Sequence, residues 1–245
     1  MTQRSLNFAG QTINQLIFTM FIDCINLIYP NLCCLCGVSL SRIDTQWCLT
    51  CDLSLPRTFQ WDELENVIFN SLKGEWPITF ASSYVFFKKG NNVQNLMNLF
   101  KYKGEKEIGL KLGACYGQEL KSIDILKDLD LIIPVPLHPA KLLKRGFNQA
   151  EILSNGISSE LGVEVSSDIL VRNVKNVTQT KKSRYDRWLN VDKIFELKQP
   201  TLLNNKHILL VDDVFTTGAT VGSCLSALFS ANNIRVSVVT IACAD

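Results

Sequence analysis

The segment that most constrains the fold runs from His207 to Thr220 and reads His-Ile-Leu-Leu-Val-Asp-Asp-Val-Phe-Thr-Thr-Gly-Ala-Thr. Its apolar first half predicts a buried strand that brings Asp212 and Asp213 to the carboxyl edge of a sheet. The hydroxyl-rich loop that follows opens a helix, where backbone amides and hydroxyls can surround a phosphate. The candidate phosphate-binding residues are Thr216, Thr217, Gly218, Ala219 and Thr220.

Two acids after an apolar strand also occur in receiver domains and in the Walker B strand of nucleotide hydrolases. Receiver domains carry their acids near the first strand, and the chain contains no Gly-x-x-x-x-Gly-Lys-Ser/Thr sequence. Both alternatives therefore fit less well than a phosphate loop beside two carboxylates that face sugar hydroxyls.

The rest of the second part of the chain alternates strand and helix patterns. Strands are predicted at 78–87, 131–135, 207–213 and 234–242, with shorter β-like pieces around 163–171 and 194–197. Helices are predicted at 93–102, 106–121, 139–161 and 219–231. This alternation predicts an α/β fold with a mainly parallel sheet that is flanked by helices on both faces.

A separate cysteine-rich module precedes this domain. Cys33, Cys36, Cys48 and Cys51 form two Cys-x-x-Cys pairs that are eleven residues apart. Two such pairs can place four thiolates around a zinc ion, and this reading is favoured over buried or redox-active cysteines. A site closed by four thiolates holds a fold rather than performing chemistry, and the role of the neighbouring Cys34 stays open.

These features divide the chain into three parts. Residues 1–56 form an N-terminal helix and the cysteine module, residues 57–77 a linker, and residues 78–245 the α/β domain. The apolar stretch 13–29 is too short and too polar to span a bilayer, and lacks a signal peptide's layout. It is interpreted as a helix packed on the module, with a membrane-surface helix as the alternative. The odd count of nine cysteines, five of them between Cys33 and Cys51, fits metal ligation better than a set of disulfides and predicts a reducing, cytoplasmic location. The net charge of +2 argues neither for nor against an anionic partner.

Further motifs carry a resemblance to a known family. The segment Asp212–Thr220 looks like the phosphoribosyl-pyrophosphate motif of the type I phosphoribosyltransferases. Residues 132–149, with Pro-Val-Pro and Arg-Gly-Phe-Asn-Gln, resemble the signature of ComF proteins, which include ComFC and GntX-type relatives. The sequence Lys-Tyr-Lys-Gly at 101–104 looks like that family's basic turn, and 172–195 is similar to its mobile loop. With the cysteine pairs, the resemblance extends from about residue 27 to residue 242.

The resemblance implies a five-stranded parallel sheet behind a zinc-ribbon-like module, and a site for phosphoribosyl pyrophosphate with Mg²⁺. It places the ribose 5-phosphate on Thr216–Thr220, the ribose hydroxyls on Asp212 and Asp213, and the pyrophosphate on the loop after Ile133. Arg145 and a basic residue of the mobile loop, Arg184 or Arg187, are candidates to hold phosphate oxygens.

Three functions stay open at this point. The first is phosphoribosyl transfer to an acceptor that the sequence does not identify, with nucleobase salvage as a variant of it. The second, implied by the resemblance to competence proteins, is the handling of single-stranded DNA together with the DNA-uptake machinery, at the inner face of the membrane. The third is a ligand sensor that retains the phosphoribosyl site without catalysis.

Overall fold

The computed structural model of the protein describes residues 29–41, 46–60, 66–173 and 194–244. The chain divides into two compact units, Met1–Ser54 and Leu55–Asp245. Within its described residues, the first unit contains the two Cys-x-x-Cys pairs and the short helix α1 (Leu49–Leu53). Trp47 is fully buried within this unit, and its indole nitrogen donates to Asp52 at 2.8 Å.

The second unit alternates strands and helices. Its strands are β1 (Phe80–Phe87), β2 (Leu131–Pro134), β3 (Leu170–Arg172), β4 (Phe195–Leu197), β5 (His207–Phe215) and β6 (Arg235–Ala244). Its α-helices are α2 (Val67–Leu72), α3 (Asn92–Tyr102), α4 (Lys106–Leu120), α5 (Pro139–Arg145), α6 (Gln149–Leu161) and α7 (Ala219–Leu228). Short 3-10 turns lie at Asp124–Leu126 and Pro200–Leu203.

The main sheet has the order β1-β6-β5-β2, and every neighbouring pair is parallel. This confirms the predicted α/β class with a parallel sheet. The central strands are nearly continuous runs of buried residues, as expected where helices cover both faces. Where the resemblance implied a fifth strand, the described part of the chain has a single parallel bridge between Ile132 and Val165. β3 and β4 form a separate antiparallel pair.

The prediction of one continuous helix at 139–161 was wrong, because residues 146–148 separate two helices there. α5 ends at Gly146, which adopts the left-handed region with φ of 82° and donates to Leu142. Asn148 then starts α6, since its side chain accepts from the amide of Ala150. A glycine at a left-handed C-terminus followed by an Asn cap ends one helix and begins the next.

Helices α4 and α6 pack with their backbones unusually close together. Gly109, Gly113 and Gly117 repeat every four residues on α4, and Gly156 faces them from α6. A Cβ atom placed on Gly156 would lie 2.3 Å from the carbonyl oxygen of Leu110, which is closer than real contacts allow. The absence of side chains at these positions is what permits this approach.

Residues 57–77 contain more structure than a linker requires. α2 lies within this range, and its Ile68 and Leu72 belong to the hydrophobic core of the second unit. The helix begins at Asn66, which is almost fully buried and accepts from the amides of Ile68 and Phe69.

The N-terminal apolar stretch that the sequence analysis singled out lies outside the described residues except for Tyr29. Among the helices within the described ranges, none is both long enough and apolar enough to cross a membrane.

Candidate functional site

The two consecutive aspartates lie near the carboxyl end of β5, where the sequence predicted them. The backbone amide of Asp213 donates to Oδ1 of Asp212 at 2.8 Å, and Oδ2 of Asp213 lies 2.8 Å from Nζ of Lys101. Burial of its carboxyl group and then the charge of Asp213 raise the pKa of Asp212 to about 8. The raised pKa favours the protonated form of Asp212 at neutral pH, in which its carboxyl group can donate a hydrogen bond.

The threonine loop follows β5 and leads directly into α7. Gly218 has φ of 74° and occupies the position before the first residue of α7. Thr216, Thr217, Ala219 and Thr220 are exposed to solvent, and the hydroxyl of Thr217 accepts from the amide of Ala219 at 3.4 Å. The loop is thus open to solvent at a helix N-terminus, which is a favourable place for an anion.

A cleft of about 170 Å³ brings much of the predicted site together. Asp212, Asp213, Thr220 and Arg145 line it, whereas Thr216 to Ala219 are not among its lining residues. The Pro-Val-Pro loop contributes Val135, Pro136 and Leu137. The cleft also contains three basic residues that the sequence analysis had not placed in the site, Lys101, Lys141 and Arg172.

The sequence Arg-Gly-Phe-Asn-Gln at 145–149 builds one wall of this cleft. Nη1 of Arg145 donates to Oε1 of Gln149 at 2.7 Å, and Gln149 is almost fully buried. The guanidinium of Arg145 also lies 5.4 Å from the ring centre of Tyr102. These two contacts fix the arginine before any ligand arrives, as preorganised anion binding requires.

The other residues of this sequence connect the cleft wall to the core. Phe147 is buried and packs on Phe100, with ring centres 5.6 Å apart. Nδ2 of Asn148 donates to the carbonyl of Val135 at 3.1 Å, which ties the start of α6 to the Pro-Val-Pro loop. A distinct physical role can therefore be given to each residue of this motif.

Arg172 and Lys101 could not be placed by sequence patterns alone. Arg172 ends β3 and its guanidinium lies 5.2 Å from the ring centre of Phe195 on β4. Arg184 and Arg187, the candidates from the predicted mobile loop, lie outside the described residues.

The first unit contains a candidate metal centre. The Sγ atoms of Cys33, Cys36, Cys48 and Cys51 all lie within 4.8 Å of one another, and those of Cys36 and Cys48 are 3.7 Å apart. A tetrahedron with zinc–sulfur bonds of about 2.3 Å has edges of about 3.8 Å. The donor set and its spacing therefore fit a zinc ion that holds the module together.

Comparison with known proteins finds relatives that are named as DNA utilization or competence proteins. The chain is 34% identical over 109 residues to the DNA utilization protein YhgH of Escherichia coli O157:H7, covering 44% of this chain and 47% of that protein. It is 36% identical over 104 residues to competence protein F of Haemophilus influenzae, covering 42% and 45%. The chain thus matches about half the length of these curated relatives. No family model matches it.

Among solved structures, the chain is similar to a hypoxanthine phosphoribosyltransferase from Staphylococcus aureus. The two are 14% identical, with a TM-score of 0.33 over 55% of this chain and 62% of that chain.

A parallel sheet with paired aspartates at its carboxyl edge, followed by a threonine loop at a helix N-terminus, defines a phosphoribosyltransferase-like α/β protein. Two further observations indicate which proteins of this class the chain resembles: the four-cysteine cluster that precedes the α/β domain in sequence, and the relatives described above. The similarity to these relatives over about half of their length supports the ComF family that the sequence motifs resemble.

Proposed function

We propose that this protein binds phosphoribosyl pyrophosphate with Mg²⁺ in the cleft at the carboxyl edge of the sheet. The observation that carries the proposal is the charge of the cleft lining. Lys101, Lys141, Arg145 and Arg172 accompany only two acids there, and burial raises the pKa of one of those acids, Asp212. A ligand with several phosphate charges suits such a lining, because charge-assisted hydrogen bonds gain strength where water is partly excluded.

Each part of the ligand has a chemically suitable partner. The exposed loop Thr216–Thr220 would hold the 5-phosphate with backbone amides and hydroxyls. Asp212 and Asp213 would hold the two ribose hydroxyls, one carboxyl donating and the other accepting. The loop at 134–138, with Arg145 beside it, would hold the pyrophosphate, and Mg²⁺ would supply charge neutralisation to the departing phosphate oxygens.

Transfer of the phosphoribosyl group requires more than binding. The bond from ribose C1 to the pyrophosphate oxygen must break while the new bond to an acceptor forms, and positive charge develops on the sugar. The side chain of Asp213 would stabilise such charge, and fixed cations such as Arg145 would stabilise the leaving group.

The test is a calorimetric titration of phosphoribosyl pyrophosphate and Mg²⁺ into the full chain. We expect binding to the wild type and a loss of at least about tenfold in affinity for the double variant Asp212→Asn, Asp213→Asn. Asp168→Asn removes an exposed acid that lines a different cavity, and serves as the control. A folded wild type that does not bind contradicts the proposal.

A measurement of pyrophosphate release distinguishes a transferase from a ligand sensor. Release of pyrophosphate that exceeds the rate in the double variant supports a transferase, and the acceptor can then be sought among compounds that accelerate it. Tight binding without release supports a sensor. In either case, the reduced thiolates required by the cysteine centre support a cytoplasmic location.

Handling of single-stranded DNA is a second candidate, favoured by the names of the relatives and by one surface. None of the residues of α5 is buried, and Leu143 is 90% exposed on it beside Lys144. The exposed Tyr102 lies against Arg145 at the end of the same helix. A basic surface with an exposed aromatic ring suits a nucleotide chain. Binding of a labelled oligonucleotide that weakens steeply with salt supports this role, and no binding at low salt contradicts it.

A further inference from the structure

The ion pair between Lys101 and Asp213 joins two parts of the chain that no sequence motif connects. Nζ of Lys101 lies 2.8 Å from Oδ2 of Asp213, and the two side chains are only 16% and 19% exposed. The pair also lines the cleft that is proposed to hold the phosphoribosyl ligand. Without any ligand, the ammonium group of Lys101 is therefore paired with the carboxylate that the proposed function assigns to the ribose.

The position of Lys101 is set by the helix rather than by a loop. Lys101 belongs to the last turn of α3, and the preceding residue, Phe100, is fully buried. Phe100 packs against Phe147 of the cleft wall, so the backbone at Lys101 is fixed relative to the cleft. The flexible side chain can still move its ammonium group by several ångströms through rotation about its single bonds.

We propose that Lys101 is an internal counter-ion of Asp213. Its ammonium group competes with a divalent cation for the carboxylate, and moves to a phosphate of the ligand when the ligand binds. This inference rests on the proposed function. Without ligand, the ammonium group balances the charge of Asp213 and opposes binding of a metal ion beside it. With the ligand bound, the same ammonium group donates to a phosphate oxygen, and the carboxylate is released to the ribose and its associated cation.

The proposal predicts opposite changes in two affinities when the charge is removed. Lys101→Met is expected to bind Mn²⁺ alone about tenfold more tightly than the wild type, because a positive charge next to the carboxylate is gone. The same variant is expected to bind phosphoribosyl pyrophosphate at saturating Mg²⁺ about tenfold more weakly, because a phosphate contact is lost. A side chain with only a structural role would weaken both.

The experiment uses the zinc-saturated full chain, with Mn²⁺ binding followed by electron paramagnetic resonance and ligand binding by calorimetry. Lys101→Arg keeps the charge and is expected to stay within about twofold of the wild type for Mn²⁺. Lys198→Met makes the same change of charge at an exposed lysine that lines the other cavity, and serves as the matched control. Thermal melts establish that each variant is folded.

The outcomes separate this inference from the proposed function. The role of Lys101 is overturned if Lys101→Met binds Mn²⁺ no more tightly than the wild type does. It is also overturned if neither protein binds Mn²⁺. Absence of phosphoribosyl pyrophosphate binding to the wild type contradicts the proposed function instead, and the Mn²⁺ measurement still decides whether Lys101 opposes a cation at Asp213.

Discussion

The imidazole Nδ1 of His207 lies 2.7 Å from Oδ1 of Asp128. The other ring nitrogen, Nε2, lies 2.8 Å from the hydroxyl of Ser237, so the three side chains have the connectivity of a hydrolytic triad. His207 and Ser237 are both fully buried, however, and a buried hydroxyl cannot reach a substrate. The cluster instead ties the start of β5 to β6 and to the chain before β2.

Replacing this histidine is expected to reduce stability rather than any activity. His207→Ala removes the hydrogen bonds of the imidazole to Ser237 and Asp128 and creates a cavity in the core, so we expect a loss of about 3 kcal/mol in the free energy of unfolding. His138→Ala, which removes only the side chain that caps α5, is expected to cost about 1 kcal/mol. Urea denaturation of both variants measures the difference, and equal losses contradict the structural role of His207.

The contact between α4 and α6 gives a second stability prediction. Gly156→Ala is expected to cost about 3 kcal/mol, because its Cβ atom would meet the backbone of Leu110 and Gly113, which cannot move aside like a flexible side chain. Gly74→Ala, where an added Cβ meets nothing within 4 Å, is the control and is expected to change stability by less than about 1 kcal/mol. A small effect at Gly156 would mean that the two helices lie further apart.

The acidic pair predicts an unusual dependence of stability on pH. The pKa of Asp212 is about 8 in the folded protein and about 3.9 in an unfolded chain, so between these values the folded state holds a proton that the unfolded state has lost. The stability contributed by this group is present at low pH and is lost as the pH rises toward 8.

Asp212→Asn is expected to remove this loss. Between pH 5.5 and pH 8, the wild type should lose more free energy of unfolding than the variant, by on the order of 1 kcal/mol. Urea denaturation at the two pH values measures this difference, with Asp168→Asn as the control acid. Parallel pH profiles for the wild type and Asp212→Asn would contradict the raised pKa.

The cysteine centre predicts a metal content that depends on particular thiols. Cys48→Ser removes one of four ligands and is expected to abolish stoichiometric zinc and to unfold the module, because binding and folding are coupled in such sites. Cys34→Ser changes a neighbouring thiol outside the cluster and is expected to keep about one zinc ion per chain. Elemental analysis of the purified variants decides, and full zinc content in Cys48→Ser would show that the metal lies elsewhere.

Local signals in the sequence predicted the elements that depend on neighbouring residues. The apolar run before Asp212 and the glycine after the threonines were sufficient to predict β5 and the loop that opens α7. The break at Gly146 was missed because the apolar pattern continues through it, although a glycine followed by an Asn cap was a visible signal.

Contacts between distant parts of the chain could not be predicted in this way. Lys101 and Asp213 are far apart in sequence, and only the packing of α3 against the cleft wall brings them together. The same is true of His207 with Asp128, since nothing near either residue indicates its partner. Such pairs depend on tertiary packing, which periodicity and spacing do not encode.

The order of strands also constrains how the protein can be made. β6 comes last among the described strands, yet it lies between β1 and β5 in the main sheet. Because a ribosome releases the chain from its N-terminus, β1 emerges long before the strand that pairs with it in this sheet. Until residues 235–244 have been made, β1 has no strand to pair with in this sheet. A premature stop codon before Arg235 would therefore leave β1 as a single strand, separate from the β5–β2 pair, rather than a smaller working domain.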